Sequence, residues 1–348
     1  MRKIGLFILT LFLLVVANPL KAETKDAPLD IKGLIFEHIG DDYSWHITTI
    51  GKTDIGFNLP VIVHSSEKGW FAFSSGKLHS GQPYNGFYIA QDGKYAGKVV
   101  EKNSTGSEVR PVDFSITKNV LSLLISAFIV LTIILVVAHW YRKHPMEAPG
   151  GFVGMIEAVI EFVRDDVIKN NVGPDYKRFQ PYLLTVFFFI LVNNLLGQIP
   201  IFPGGANVTG NIAITLVLAL FTFFIVNISG TKAYWKGIFW PDVPIFLKVP
   251  IPLMPALEIV EVFTKPFSLM IRLFANMMAG HTVALSLTCV IFATVAMGAA
   301  INSAMTVLAV FLSVFMFIVE ILVSFLQAYI FTILSSVYIG LARAKKSH

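Results

Sequence analysis

The sequence predicts an all-α polytopic membrane protein, with about five membrane helices, an interfacial amphipathic helix and a small β-rich exported N-terminal domain. The chain has 348 residues, of which 55% are hydrophobic and 14% charged, and its mean hydropathy is +0.69. This composition is typical of membrane proteins. Residues 23–115 differ, because charge, glycine and short alternating apolar runs predict strands there. We therefore divide the chain into a signal peptide (1–22), an exported domain (23–115) and a membrane domain (116–348).

The first 22 residues have the pattern of a secretory signal peptide. Arg2 and Lys3 form a basic start, and an apolar core follows over residues 4–16. An uncleaved membrane anchor is the alternative interpretation. Both interpretations export the next segment, so we expect domain 23–115 in the periplasm, attached to a multi-pass protein of the bacterial inner membrane.

Three apolar stretches predict the first membrane spans. They cover residues 120–139, 182–197 and 208–228. Basic residues such as Arg142 and Lys143 follow the first span and mark the cytoplasmic side, where the C-terminus is also expected. Charged and apolar residues alternate over 154–170, which predicts a helix on the cytoplasmic interface. A helix docked on a partner protein is the alternative for that segment.

Two longer segments complete the predicted membrane domain. Residues 255–289 and 306–342 each form about 35 residues of helix, or roughly 50 Å, whereas the hydrocarbon core is only about 30 Å thick. Upright helices of this length would overshoot the membrane. We therefore expect the last two helices to lie strongly tilted, as a hairpin.

Polar residues on the first helix of this hairpin share one face. At about 100° per residue they fall within a stripe about 80° wide. The stripe contains Glu258, Glu261, Lys265, Ser268, Arg272 and Asn276, and His281 faces elsewhere. An arginine at the centre of a membrane helix costs about 2.5–3.5 kcal/mol on insertion scales, so this stripe is a functional hypothesis rather than chance.

The last helix carries a second polar face. It contains Ser313, Glu320, Ser324, Gln327 and Tyr338. Hydrogen bonding between helices is the alternative explanation for the serines. A lone carboxylate in lipid needs a partner or a proton, and His281 is the natural partner for Glu320.

Several function classes find no support in the sequence. The single cysteine, Cys289, allows no intrachain disulfide, and no Cys/His group has zinc-like spacing, so we expect no metal and no cofactor. A GxxxxGK[ST] loop for ATP is missing. The net charge of +5 reflects basic residues at membrane edges, so no nucleic-acid partner is expected. A proton-coupled secondary transporter remains an alternative, although the halves show no repeat. A membrane protease would need a motif such as HExxH, which is also missing.

The run RLFANMMAGH, from Arg272 to His281, resembles the signature of subunit a of F-type ATP synthases. The spacing back to Glu258, the Lys265–Pro266 pair and the last helix around Glu320 fit the same family. The resemblance covers roughly residues 115–342.

The resemblance implies a non-catalytic stator that faces a rotating c-ring, whose subunits each carry one carboxyl group. Two offset half-channels would lead protons to that ring, coupling the proton gradient to ATP synthesis. The other implied partners are the subunit b peripheral stalk, the remainder of the ATP synthase complex and the lipid bilayer. The family's essential arginine matches Arg272. A guanidinium stays protonated, favours deprotonation of a passing carboxyl group and bars direct proton transfer between half-channels.

The resemblance also assigns roles to the remaining polar residues. His281 and Glu320 match two positions at which one family pattern interchanges the acid and the imidazole, which supports a relay pair. With Asn276 and Gln327 they are expected in the exterior half-channel, and Glu258 in the cytoplasmic one. Secondary candidates are Glu261, Lys265, Ser268, Tyr338 and Asn194. Some members have an aspartate near the position of Gly197, which this chain lacks. The sequence leaves H⁺ or Na⁺ open, and we favour H⁺.

Overall fold

The computed structural model describes residues 40–50, 53–78, 83–91, 93–103, 106–199, 202–241 and 253–344. The predicted signal peptide lies outside the described residues, as does the start of the predicted exported domain. Within the described ranges, strands and one 3-10 turn (Ser75–Lys77) precede residue 114, and the long helices follow residue 117. The predicted fold class, a helical membrane protein with a β-containing N-terminal region, is confirmed.

Short antiparallel strands make up the N-terminal region. They are β1 (Ser44–Ile50), β2 (Thr53–Asn58), β3 (Pro60–Ser65), β4 (Gly69–Ser74), β5 (Phe87–Ile89), β6 (Val99–Lys102), β7 (Glu108–Val109) and β8 (Val112–Asp113). β1 pairs with β2, β3 lies between β4 and β8, and β6 lies between β5 and β7. Because alternate residues of a strand face one side, Val61 and Val63 of β3 point into a core that includes Phe73 and Phe87.

Tyr43 is the polar anchor of this core. Its side chain is buried, and its hydroxyl donates to Asp113 Oδ2 at 2.5 Å. Burial, and then the neighbouring Asp113, raises the pKa of Tyr43 above its usual value. The raised pKa means that this stabilisation is present below about pH 10 and is lost as the pH rises further.

We expect Tyr43→Phe to destabilise the N-terminal region by about 1–3 kcal/mol, because the buried Asp113 carboxylate loses a donor. Thermal unfolding of the full chain in membranes, followed by protease sensitivity of this region, measures the change. The matched control is Tyr88→Phe, whose exposed hydroxyl donates to Glu108 at 2.6 Å. Equal effects of the two variants would contradict the anchoring role of Tyr43.

The membrane domain consists of long helices. They are α1 (Lys118–Lys143), α2 (Gly151–Glu161), α3 (Tyr176–Gln198), α4 (Ile212–Ser229), α5 (Lys232–Phe239), α6 (Leu253–Ala293) and α7 (Ala299–Arg343). Among the described residues, five helical stretches are long and apolar enough to cross a membrane. The second of these stretches, Gly151–Gln198, includes the segment that the sequence predicts at the interface.

That amphipathic segment does not end as a simple helix. After α2 the chain continues as π-helical turns over Phe162–Lys169 and one α-turn over Asn170–Val172. Val163, Val167 and Ile168 are buried there, and the π-helical turns pack against α3 and α7. The helical conformation changes at Gly173, whose φ of 78° suits glycine.

The last two helices are longer than predicted. α6 has 41 residues and α7 has 45, so each is at least about 60 Å long, twice the thickness of the hydrocarbon core. The predicted helices, 255–289 and 306–342, are shorter than the observed ones at both ends. The polar and small residues on either side of the connecting turn are still helical. The turn itself includes Gly298, whose φ is 99°.

The packing of the helices places α7 at the centre of the domain. It contacts α3, α4 and α6, while α3 also contacts α1, and α6 also packs on α4. Polar side chains also form hydrogen bonds between the packed helices. The Tyr182 hydroxyl of α3 lies 2.8 Å from Thr222 Oγ1 of α4, which lies 3.3 Å from Ser335 Oγ of α7. At the basic end, Arg343 pairs with Asp175 and fixes the end of α7.

Candidate functional site

Arg272 lies on α6 at the boundary between its packed and its uncovered side. Leu269, Leu273 and Met277 are buried against neighbouring helices, whereas Ser268 and Asn276 are exposed. The Arg272 side chain between them is half-buried. Within the described part of the chain it has neither a hydrogen bond nor an ion pair. A permanently charged group thus lies at the uncovered side of α6, with no counter-ion among the residues that the structure describes.

A second group of polar side chains lies at the start of α6. Lys265 Nζ is 2.9 Å from Glu261 Oε1 and 5.5 Å from the centre of the Tyr338 ring. Burial, and then the negative charges of Glu261 and Glu258, raise the pKa of Tyr234 on α5 above its usual value. The structure therefore brings Glu258, Glu261 and Lys265 together with two tyrosines at the basic end of the domain.

His281 faces away from this stripe and meets the last helix. Its Nδ1 lies 3.8 Å from Glu320 Oε1, and both side chains are largely buried. Gln198 at the end of α3 donates to the Glu320 carbonyl oxygen at 2.8 Å and also bonds to Ser324 Oγ. The acid and the imidazole are thus neighbours, as their positions on facing helices predict.

The pair lines a cavity of about 210 Å³, which has room for several waters. The polar groups in its wall are Gln198, Asn207, His281, Thr288, Ser313 and Glu320. Three buried atoms of this wall have no hydrogen-bond partner among the described residues: Gln198 Oε1, Asn207 Nδ2 and Glu320 Oε1. Buried polar atoms of this kind are usually satisfied by water, so the cavity has the chemistry of a hydrated path.

Two glycines leave space for the pair. A Cβ on Gly197 would lie 3.5 Å from His281 Nε2, and a Cβ on Gly280 would lie 2.8 Å from Glu320 Oε1. A side chain at residue 280 would thus collide with the Glu320 carboxylate, whereas a Cβ at residue 197 would make only van der Waals contact with His281.

We expect Gly280→Ala to displace the Glu320 carboxylate and to slow, by about tenfold or more, the proton transport that the resemblance to subunit a implies, because proton transfer is sensitive to small misplacements. The rate of the implied ATP-driven proton uptake into inverted vesicles measures the change. Gly237→Ala is the matched control, since a Cβ there meets no atom within 4 Å. Unchanged transport in Gly280→Ala would show that the position of Glu320 is not critical.

Not all predicted residues join these two groups. Asn276 is exposed on the side of α6 opposite the cavity, near Arg272, and Ser268 is exposed one turn earlier. Gln327 is buried, but it does not line the cavity around Glu320. Asn194 is also buried, where it accepts from Thr209 Oγ1 at 2.6 Å.

Sequence reasoning left two residues of these groups unassigned, Asn207 and Tyr234. The polarity of Gln198 at the outer end of an apolar span already indicated that it could line a hydrated cavity. Asn207 lies in a loop and Tyr234 on the short helix α5, where no periodicity indicates which side chains turn towards the site. Among the described residues, no group of three or more His, Cys, Asp or Glu side chains is arranged to hold a metal ion.

The fold and the site together define a class of protein. Several membrane-spanning helices surround a polar cavity with an acid–imidazole pair. A separate arginine lies at an uncovered surface and has no counter-ion among the described residues. This is the arrangement of a membrane protein that conducts ions, since ionisable groups inside a membrane domain mark ion pathways and proton relays.

Comparison with known proteins identifies the family. The family described as ATP synthase A chain matches residues 120–340. ATP synthase subunit a of Chlorobium phaeobacteroides (strain DSM 266) is 44% identical over 248 residues, which cover 68% of this chain and 67% of that protein. The corresponding protein of Chloroherpeton thalassium is 41% identical over 247 residues, covering 69% and 70%. A domain of unknown function matches residues 34–115.

The chain belongs to the ATP synthase subunit a family. It is therefore a non-catalytic, proton-translocating, multi-pass membrane subunit of an F-type ATP synthase, and ATP is made on other subunits of that complex. The alternative of a secondary transporter that works alone is not supported.

Proposed function

We propose that the chain conducts protons through two offset half-channels beside a c-ring, with Arg272 between them. The observation that carries this proposal is the half-buried Arg272, which has no counter-ion within the described residues. An unpaired charge in a membrane domain is costly, so its counter-ion comes from another chain. The carboxylate of a ring subunit meets this requirement.

Exposed apolar side chains on α6 and α7 support a neighbouring apolar partner. Phe267 on α6 is 60% exposed, and Phe311 and Ile318 on α7 are 70% and 63% exposed. The hydrocarbon of lipid would cover an apolar surface, but it has no group that could pair with a guanidinium. A ring of helical hairpins, each with one carboxyl group in an otherwise apolar face, matches both the surface and the charge.

The cavity around His281 and Glu320 serves as the exterior half-channel in this proposal. It lies towards the end of the domain that carries the N-terminal region, since Asn207 of the α3–α4 loop forms part of its wall. A neutral imidazole accepts a proton from water on one nitrogen, and an imidazolium donates one to a neighbouring carboxylate. The pair therefore passes protons singly from water towards the ring.

Glu258 at the opposite end of α6 begins the cytoplasmic half-channel. The basic residues Arg142, Lys143 and Arg343 belong to this end, which the positive-inside rule places in the cytoplasm. Glu261, Lys265 and Tyr338 adjoin Glu258 and make the start of α6 polar. The N-terminal region is then periplasmic, in a protein of the bacterial inner membrane with a signal peptide at residues 1–22.

Transport in the direction of ATP synthesis follows from this arrangement. A proton that enters from the exterior neutralises a ring carboxylate, and the neutral carboxyl group then rotates through lipid at little cost. At the cytoplasmic half-channel the carboxyl group loses its proton, and Arg272 stabilises the resulting carboxylate. Arg272 itself stays protonated throughout, so protons do not pass directly between the two half-channels.

Disulfide cross-linking tests the ring contact. In a Cys289→Ser background, Ala275→Cys introduces a thiol on the exposed side of α6, one turn from Arg272. We expect it to form a disulfide with a cysteine placed beside the ring carboxyl group. Phe128→Cys on α1, where Phe128 is 69% exposed, is the matched control. Cross-linking at residue 128, or none at residue 275, would contradict the proposed ring surface. Subunit b is a further proposed partner within the same complex.

A further inference from the structure

A second cavity lies where the N-terminal region meets the membrane domain. Its volume is about 260 Å³, and Asp41, Asn119 and Asn207 line it together with Phe274 of α6. These residues come from the N-terminal region, the first turn of α1, the α3–α4 loop and the helix of Arg272. The cavity therefore belongs to the junction of the two parts of the chain.

The wall of this junction cavity contains buried polar atoms. The side chains of Asn119 and Asn207 are 3% and 5% exposed, and each has an atom, Asn119 Oδ1 and Asn207 Nδ2, that lacks a hydrogen-bond partner in the described ranges. An unsatisfied buried amide costs about 1–3 kcal/mol. Water in the cavity removes that cost, so both side chains indicate that the junction cavity is hydrated.

Asn207 lines both cavities, the one at the junction and the one around His281 and Glu320. Its side-chain oxygen accepts from the Gly210 amide at 2.9 Å, which fixes the loop and leaves Nδ2 for water. The polar walls of the two cavities thus meet at one residue. They form a series that begins at Asp41 and ends at Glu320.

The N-terminal region holds this junction in place. Asp41 accepts hydrogen bonds from Thr117 Oγ1 at 2.9 Å and from the Asn119 amide at 3.0 Å, so it caps α1 from outside that helix. Trp45 is buried against Ala206 and Val208 of the loop, and its ring lies 5.3 Å from that of Phe202. The strand region therefore covers the loop that carries Asn207.

We propose that the N-terminal region forms the mouth of the exterior half-channel, and that water and protons enter between Asp41 and Asn207. The inference rests on the proposed exterior half-channel and adds its entrance. An acidic group at a narrow mouth favours the entry of cations, which gives the Asp41 carboxylate a function besides capping. The exported domain is thus part of the proton path and not only an appendage.

Thiol labelling in the assembled ATP synthase tests the entrance. In right-side-out vesicles with a Cys289→Ser background, Asn119→Cys and Asn207→Cys are exposed to a charged, membrane-impermeant methanethiosulfonate. We expect both to be labelled at least about tenfold faster than Val208→Cys, because only a hydrated thiol forms the reactive thiolate readily. Val208 is the matched control: it is 1% exposed and next in sequence to Asn207, but it packs in the apolar cluster with Trp45.

The same vesicles give a functional readout. Labelling of Asn119→Cys should reduce proton conduction by about tenfold, since the bulky charged adduct fills the junction cavity. Ser313→Cys and Thr288→Cys report on the inner cavity, because both residues line it but not the junction cavity. Labelling at 288 and 313 without labelling at 119 and 207 would overturn the proposed mouth and keep the half-channel. Absence of labelling at all four positions would overturn both.

Discussion

Replacement of Arg272 by alanine is expected to abolish ATP-driven acidification of inverted membrane vesicles, with a loss of at least about a hundredfold. In the proposed mechanism, Arg272 supplies the fixed positive charge that favours deprotonation of each ring carboxyl group, and the next cation on α6, Lys265, lies about two turns away. Hydrolysis of ATP by the detached catalytic sector should continue at the normal rate, because that chemistry lies on other subunits.

Two further variants separate charge from packing at this position. Arg272→Lys keeps a charge but loses the planar fork of five donors, so we expect it to recover little of the activity. Ile271→Ala alters the neighbouring side chain, which is 37% exposed, and should pump at nearly the normal rate. Normal pumping by Arg272→Ala, at equal content of assembled complex, would remove the arginine from the mechanism.

The second large effect is expected at the acid–imidazole pair. Glu320→Gln and His281→Ala should each slow ATP-driven pumping by about a hundredfold, because each removes a group that we propose to exchange protons in the exterior half-channel. Vesicle acidification measures both. If the two residues act as one relay, the double variant should be little worse than either single variant, since effects within one functional unit are not additive.

An exchanged pair tests the relay more stringently. His281→Glu combined with Glu320→His restores one acid and one imidazole in the cavity, with their helices interchanged. We expect the combination to pump faster than either single exchange. Ser324→Ala is the control for packing on α7, since Ser324 bonds to Gln198 but carries no titratable group. Independent roles would be indicated by additive losses and by the absence of any recovery in the exchanged pair.

Several features of the fold and site followed from the sequence because a membrane penalises polar groups strongly. Arg272 and its neighbours fall on one stripe, and α6 indeed places Glu261, Lys265 and Arg272 along one edge. The facing positions of His281 and Glu320 were predictable for the same reason. A single buried carboxylate needs a partner, and the membrane helices contain few titratable residues that could pair with it.

Other features depend on tertiary contacts that periodicity does not encode. Asn207 reaches two cavities only because its loop is held under Trp45, and the exposed position of Asn276 follows from how α6 packs on α4 and α7. The π-helical turns over Phe162–Lys169 arise where that segment packs on α3 and α7. The order in which the short strands pair could not be predicted either. Alternation of apolar and polar residues predicts where strands occur but not which strands are neighbours.

The most direct measurement is passive proton conduction with the ring locked to the stator. Vesicles that carry the Ala275→Cys disulfide to the ring, and lack the catalytic sector, are compared before and after reduction, with Arg272 intact. If protons cross only by rotation past the arginine, conduction should be absent in the cross-linked state and return on reduction. Equal conduction in both states would contradict the account, because protons would then cross the chain without the ring.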